Sequence, residues 1–193
     1  RHQTLEATLD WSHDLLSEKE QTLLRRLAVF ASGWTLAAAD AVCSGNGIES
    51  GEVLDLLSNL VDKSLVVVES RPDQRRYHFL ETIRQYAHRH LAAASESEAT
   101  RHRHLAYYLQ WTEAAAPHLY STSQPHWLVE FDAEYDNLRA ALDWSLNTAG
   151  TEEAGLRLVA TCWKYWRLRG YFSEGRERML AALSREWAQE QTE

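Results

Sequence analysis

The sequence predicts a mainly α-helical chain carrying one β-hairpin. Three observations predict it. Apolar residues make up 45% of 193 positions while Gly and Pro number only 8 and 3, which favours packed helices over a sandwich or barrel. Eight Trp and eight Tyr supply large side chains for packing between helices. Between residues 58 and 91 a helix end, two short β runs and a fresh helix follow one another. That order is the back half of a winged helix, placed over residues 1–95, with a second helical segment over residues 96–193.

Local signals place each element. Leu5, Leu9, Leu15 and Leu16 give a helical stripe over about residues 4–16. Ser17-Glu18-Lys19-Glu20 reads as a capping box, in which the Ser17 hydroxyl accepts from the Glu20 amide and the Glu20 carboxylate reaches back. The helix it opens turns Leu23, Leu24, Leu27, Phe30 and Ala31 inward and stops at Ser32-Gly33, where Gly33 can adopt the left-handed conformation. Thr35 caps a short third helix through Val42, followed by a loop over residues 44–47. A fourth helix over residues 51–62 buries Val53, Leu56, Leu57, Leu60 and Val61. The β runs 64–68 and 75–79 flank a turn shaped by Pro72 and Asp73, and a helix over residues 80–94 closes the domain.

The second segment reads as helix almost throughout. Residues 104–116 are amphipathic and rich in aromatics (Tyr107, Tyr108, Trp111), and Pro117 breaks them. Pro125 suits a first helical turn, after which Trp127, Phe131, Tyr135, Leu138 and Leu142 continue the apolar face over two helices bent near Asp132. Thr151 caps the next helix, with Glu152 and Glu153 at its positive end. Residues 170–172 turn the chain and Ser173 caps a last helix to about Gln189. Trp163, Trp166, Gly170, Phe172, Gly175, Met179, Ala182 and Leu183 fall at the spacing of a tetratricopeptide helix pair, with Gly175 where Ala is usual. Such pairs need stacked neighbours to bury a core. Because the chain also opens at Arg1 without Met, it reads as a piece of a longer protein.

Composition also bears on chemistry. The net charge of −8 works against phosphate binding, which rests on clustered Lys and Arg. Cys43 and Cys162 lie far apart in apolar surroundings and read as buried free thiols, consistent with a reducing, cytoplasmic setting. There is no phosphate loop, nucleophile elbow or zinc helix, and no enzymatic role is expected. His88/His90 and His102/His104 are spaced two apart, which points their rings to different helix faces, so no metal is expected. Asp132 with Glu134, and Glu152 with Glu153, read as favourable charge at helix starts. In a helix-turn-helix reader the helix over residues 51–62 would enter the major groove. It carries Glu52, Asp55 and Asp62, and the wing offers Arg71, Arg75 and Arg76, so direct DNA binding is not expected.

Two stretches, Leu54-Asp55-Leu56-Leu57-Ser58-Asn59-Leu60-Val61-Asp62-Lys63-Ser64-Leu65-Val66 and Tyr77-His78-Phe79-Leu80-Glu81-Thr82-Ile83-Arg84-Gln85-Tyr86-Ala87, carry a family resemblance. Thr8-Leu9-Asp10-Trp11-Ser12-His13-Asp14-Leu15-Leu16-Ser17 and Asp136-Asn137-Leu138-Arg139-Ala140-Ala141-Leu142 agree with it. The chain resembles the winged-helix and tetratricopeptide-like region of bacterial signal-transduction ATPases with numerous domains (STAND), of the NB-ARC type and especially the LuxR-type and antibiotic-regulator-like transcriptional activators. The resemblance implies a regulatory fragment whose winged helix restrains an ATPase core that binds ADP or ATP elsewhere in the polypeptide. The helical repeats would receive an inducer or partner. It also implies that His78, at the place of a Met-His-Asp motif, touches the ADP phosphate, although Tyr77 and Phe79 depart from that motif. Two other readings stand beside it. One is a DNA-binding winged-helix transcription factor with a helical dimerisation arm. The other is a free-standing helical scaffold for protein interaction.

Overall fold

The structure, a computed structural model, describes residues 2–70 and 75–190. Among these the elements are α1 His2–Asp14, α2 Glu18–Leu27, β1 Trp34–Thr35, α3 Leu36–Cys43, α4 Val53–Asp62, β2 Val67–Ser70, β3 Arg75–His78 and α5 Glu81–Ala93. They continue with α6 Ser97–Ala115, a 3-10 turn Ala116–Tyr120, α7 Gln124–Asn147, α8 Glu152–Arg169 and α9 Phe172–Glu190. The chain divides into two compact units, residues 1–103 and 104–193.

The first unit has the order of a winged helix, with a sheet the sequence only half disclosed. Its strands run β1-β3-β2, all antiparallel, with Trp34 opposite Tyr77 and Val67 opposite His78. β1 is two residues long and escapes any periodicity test; it exists because a buried Trp34 pairs with β3, more than forty positions on. The first β run also shifts. Residues 64–66 do not pair, because the amides of Leu65 and Val66 both donate back to the Leu60 carbonyl, at 2.9 and 3.3 Å. The α4 end claims them, and the ladder starts at Val67. The predicted turn at Arg71, Pro72, Asp73 and Gln74 lies outside the described residues.

Around that sheet the local signals mostly hold. The capping box forms: Ser17 Oγ accepts from the Glu20 amide at 3.3 Å, and Glu20 Oε2 accepts from the Ser17 amide at 2.7 Å. Thr35 Oγ1 caps α3 by accepting from the Ala38 amide at 3.1 Å. Leu23, Leu24, Leu27, Phe30, Trp34, Val42, Val53, Leu57 and Leu60 form the core. Ala31 and Leu15, expected inside, are exposed. For Leu15 the reason is that α1 ends at Asp14, so Leu15 leaves the stripe while Leu16 turns in. Gly33 does not use the left-handed conformation. A Cβ there would lie 2.9 Å from the Tyr77 carbonyl oxygen, so the residue is Gly because the chain crosses close over β3.

The second unit corrects three boundaries. α7 is one continuous helix rather than two, because Asp132 sits mid-helix, bonded by Tyr165 and Arg169, with no breaker near it. Thr151 does not cap α8 through its side chain; its hydroxyl donates to the carbonyls of Ser145 and Thr148, at 2.8 and 2.7 Å, tying the α7–α8 turn. α9 begins at Phe172, so Ser173 lies inside it. The turn at Gly170 is left-handed, with φ 75°, and closes α8 as expected. The core is a run of stacked rings, Phe131 on Tyr165 and Tyr135 on Tyr171, with ring centres 5.1 and 5.3 Å apart. Gly175 lets α9 lie against Trp166: a Cβ would meet the indole at 2.9 Å. Among the described residues no helix is long and apolar enough to cross a membrane.

Candidate nucleic-acid interface

α4 is the second helix of the helix-turn-helix, and its apolar spacing fixes what it shows. Val53, Leu57 and Leu60 are buried, which leaves Leu54, Asp55, Ser58, Asn59 and Asp62 exposed along the other side. Both ends of α4 are tied to α2. Before it, Lys19 Nζ donates to both Glu52 carboxylate oxygens at 2.7 Å; after it, Lys63 Nζ donates to Glu20 Oε1 at 2.7 Å. Glu52 also accepts from the Glu49 amide at 2.9 Å, and the Lys19 contact holds its carboxyl below the usual carboxylate range. Of the three carboxylates counted on this helix in the sequence, Glu52 is therefore neutralised by Lys19, and Asp55 and Asp62 remain.

The wing is less basic than its sequence. Arg75 is exposed at the start of β3, but Arg76 is buried and donates to the Gly33 carbonyl at 2.9 Å. Arg71 lies outside the described residues. His78 closes β3, half-buried, with its Cβ 3.6 Å from where a Cβ on Gly33 would stand.

What holds this surface in place is a buried arginine that sequence reasoning passed over. Arg26, on α2, donates to the carbonyls of Cys43, Gly45 and Asn46 at 2.8, 2.6 and 3.2 Å, fixing the loop between α3 and α4. Its guanidinium also meets Glu96 at 3.0 Å, and Arg25 grips the same carboxylate at 3.0 Å. Despite partial burial, which would raise it, Glu96 is held down at about 2 by those two arginines. An Arg-Arg pair inside an otherwise apolar helix stripe was the available signal.

Other candidate groups are buried in the fold. Burial pushes the Cys43 and Cys162 thiols up to about 12, so neither is a thiolate near neutral pH. Glu134 is buried mid-helix, not at a helix start, and accepts from Tyr108 at 2.7 Å and Asn137 at 3.0 Å. Among the described residues no three His, Cys, Asp or Glu side chains converge in a way that could hold a metal ion.

This arrangement is that of a winged helix-turn-helix, and residues 16–92 match the family model for the winged helix-turn-helix domain. Beyond that domain, the chain is 42% identical over 177 residues to a candidate HTH-type transcriptional regulator of Mycobacterium bovis, and equally to one of Mycobacterium tuberculosis. Those matches cover 91% of this chain but 20% of the relatives, so the chain spans about a fifth of their length. An uncharacterized protein of Mycobacterium bovis is 45% identical over 98 residues, covering 50% of this chain and 25% of the relative. No solved structure matches the chain. The domain match and these relatives overturn the expectation that DNA binding is foreign to this chain. That expectation came from counting charges along the sequence, and it took Glu52 for a charge free to face phosphates.

Proposed function

We propose that the first unit is the DNA-contacting winged helix of a transcriptional regulator, and that its role is non-catalytic. The observation that carries the reading is the match of residues 16–92 to the winged helix-turn-helix model, together with the full order α2–β1–α3–α4–β2–β3. The exposed side of α4 has groups suited to base edges: the Asn59 amide for adenine, the Ser58 hydroxyl, Leu54 for a thymine methyl, and Asp55 for the amino group of cytosine. Arg75 on the wing supplies a phosphate contact. Asp55 and Asp62 repel the backbone and weaken unspecific binding, so affinity depends more on the correct bases. The test is a titration of duplex DNA with the whole chain at rising salt. Salt-dependent binding, with a base preference altered by Asn59→Ala, is the expected result; no binding at about 50 mM salt would overturn the reading.

The second unit is proposed as a helical arm that pairs two copies. The exposed Tyr171, Phe172, Leu180 and Leu183 near the α8–α9 turn and along α9 support this. The left-handed Gly170 and the Gly175–Trp166 approach support its finer reading as a tetratricopeptide-type pair.

A second reading follows the STAND resemblance, in which the winged helix restrains a nucleotide switch. The observation favouring it is the charge of α4, where Asp55 and Asp62 are exposed and both flanking lysines are already paired. His78 would give one donor to an ADP phosphate, while the neighbouring Arg76 is engaged with the Gly33 carbonyl. The sequence has no phosphate loop, so in this reading the nucleotide site lies elsewhere in the polypeptide. Unchanged ADP affinity on His78→Ala in a longer protein that contains the nucleotide site would dismiss that role.

A further inference from the structure

The cations of the first unit differ sharply in what they have left to offer. Lys19 and Lys63 are spent on Glu52 and Glu20, Arg25 and Arg26 on Glu96, Arg76 on the Gly33 carbonyl, and Arg103 on the Val42 carbonyl at 2.6 Å. Exposed Arg75 on the wing, and Arg101 within a group on α5–α6, stand apart from these. On α5 and the start of α6, Arg101 stands against His88, one helical turn on from Arg84, whose charge His88 also feels. Arg101 Nη2 stands 3.4 Å from His88 Nε2, and Arg101 Nε reaches the Ser97 hydroxyl at 3.4 Å. Arg84 shares Glu81, with both contacts at 2.9 Å. Among the described residues Arg101 meets no carboxylate. Partial burial, then the charges of Arg101 and Arg84, hold the His88 imidazole below its ordinary pKa.

A chain with net charge −8 has carboxylates to spare, yet leaves two guanidiniums and an imidazole gathered with a single anion among them. Like charges held together raise each other's energy, and an arriving anion relieves it. Guanidinium forks match phosphate oxygens in two-point contact; the Arg84 fork is held by Glu81, whereas that of Arg101 has only long contacts to neutral groups that a phosphate can replace. This patch lies on α5–α6 and not on α4, so its contribution is to grip the backbone rather than to read bases.

We propose that Arg84, His88 and Arg101 form a phosphate-contact surface for the backbone of duplex DNA, separate from the base-reading side of α4. The proposal rests on the DNA-binding reading above and adds a second phosphate grip to that of Arg75 on the wing.

The test uses the whole 193-residue chain and a random-sequence duplex, with affinity measured by fluorescence anisotropy across a salt series. Replacing both arginines, Arg84→Gln with Arg101→Gln, is expected to weaken binding about tenfold on every sequence. It should also flatten the log–log salt slope by about 2, near 0.9 for each phosphate no longer neutralised. Glu81→Gln, which frees Arg84 and removes an anion, is expected to tighten binding, and it serves if the double variant fails to fold. If the unaltered chain binds and both variants leave affinity and salt slope unchanged, the surface is refuted while the DNA-binding reading stands. If the unaltered chain binds no duplex at any salt, both fall together.

Discussion

The two units solve the same problem, burying polar groups among helices, with different chemistry. In the first, a guanidinium stands at the centre, beside one tyrosine hydroxyl, Tyr86 on Asp10: Arg26 is almost fully buried, bonded to three carbonyls and a shared carboxylate. In the second, tyrosine hydroxyls do it: Tyr108 to Glu134, Tyr135 to Glu174 and Tyr165 to Asp132, at 2.7, 2.8 and 2.8 Å. Burial and the neighbouring carboxylate raise the Tyr135 and Tyr165 pKa values, so both hydroxyls stay protonated donors. The difference teaches where each unit is vulnerable. A buried charge is costly to orphan, whereas a neutral hydroxyl can be removed at a smaller penalty and leaves its ring in the stack.

The largest expected effect tests that contrast directly. Arg26→Ala leaves three carbonyls unbonded and Glu96 short of a partner, and should destabilise the first unit by about 3–5 kcal/mol, read as lost hydrogen-exchange protection in α2, α3 and α4. Gly175→Ala ranks next: the new methyl meets Trp166, and overpacking should cost the second unit about 1–3 kcal/mol in urea unfolding. Tyr165→Phe removes only the hydroxyl, leaving Asp132 to Arg169, and should cost about 1 kcal/mol. A loss from Tyr165→Phe as large as that from Arg26→Ala would break the comparison.

Acid should separate the units as well. The Glu96 pKa is depressed on folding, from an ordinary carboxylate value to about 2. Its contribution is therefore complete above the unfolded value, near 4.5, and is lost as pH falls from there toward 2. Protection of the α2–α3 region should decline through that window, and Glu96→Gln should lower it at neutral pH while flattening the decline. The smallest effect belongs to the exposed Lys19–Glu52 pair: Lys19→Gln should leave the unfolding midpoint where it was, because solvent screens such contacts.

Several features of the fold were legible because their causes are local. The Ser17 capping box, the Thr35 cap, the Gly170 turn and the inward face of α4 each depend on residues within a turn or two of one another. β1, the start of β2 and the role of Gly33 were not, since each depends on a distant backbone: Tyr77 for β1 and Gly33, and the α4 end for β2. At the candidate interface the sequence singled out α4 and the wing, and both form in the structure. It miscounted their charge, because pairing with Lys19 and the burial of Arg76 are matters of three-dimensional neighbours. Arg84, His88 and Arg101 were scattered letters on a polar helix until α5 and α6 brought them together.

The sequence by itself determined a helical chain with one wing, because apolar period, caps and β-branched runs act over a few residues. Only the tertiary structure decided which charges remain available to a partner. Coulomb attraction is set by distance through space, and neighbours in space such as Arg26 and Glu96 stand seventy positions apart along the chain.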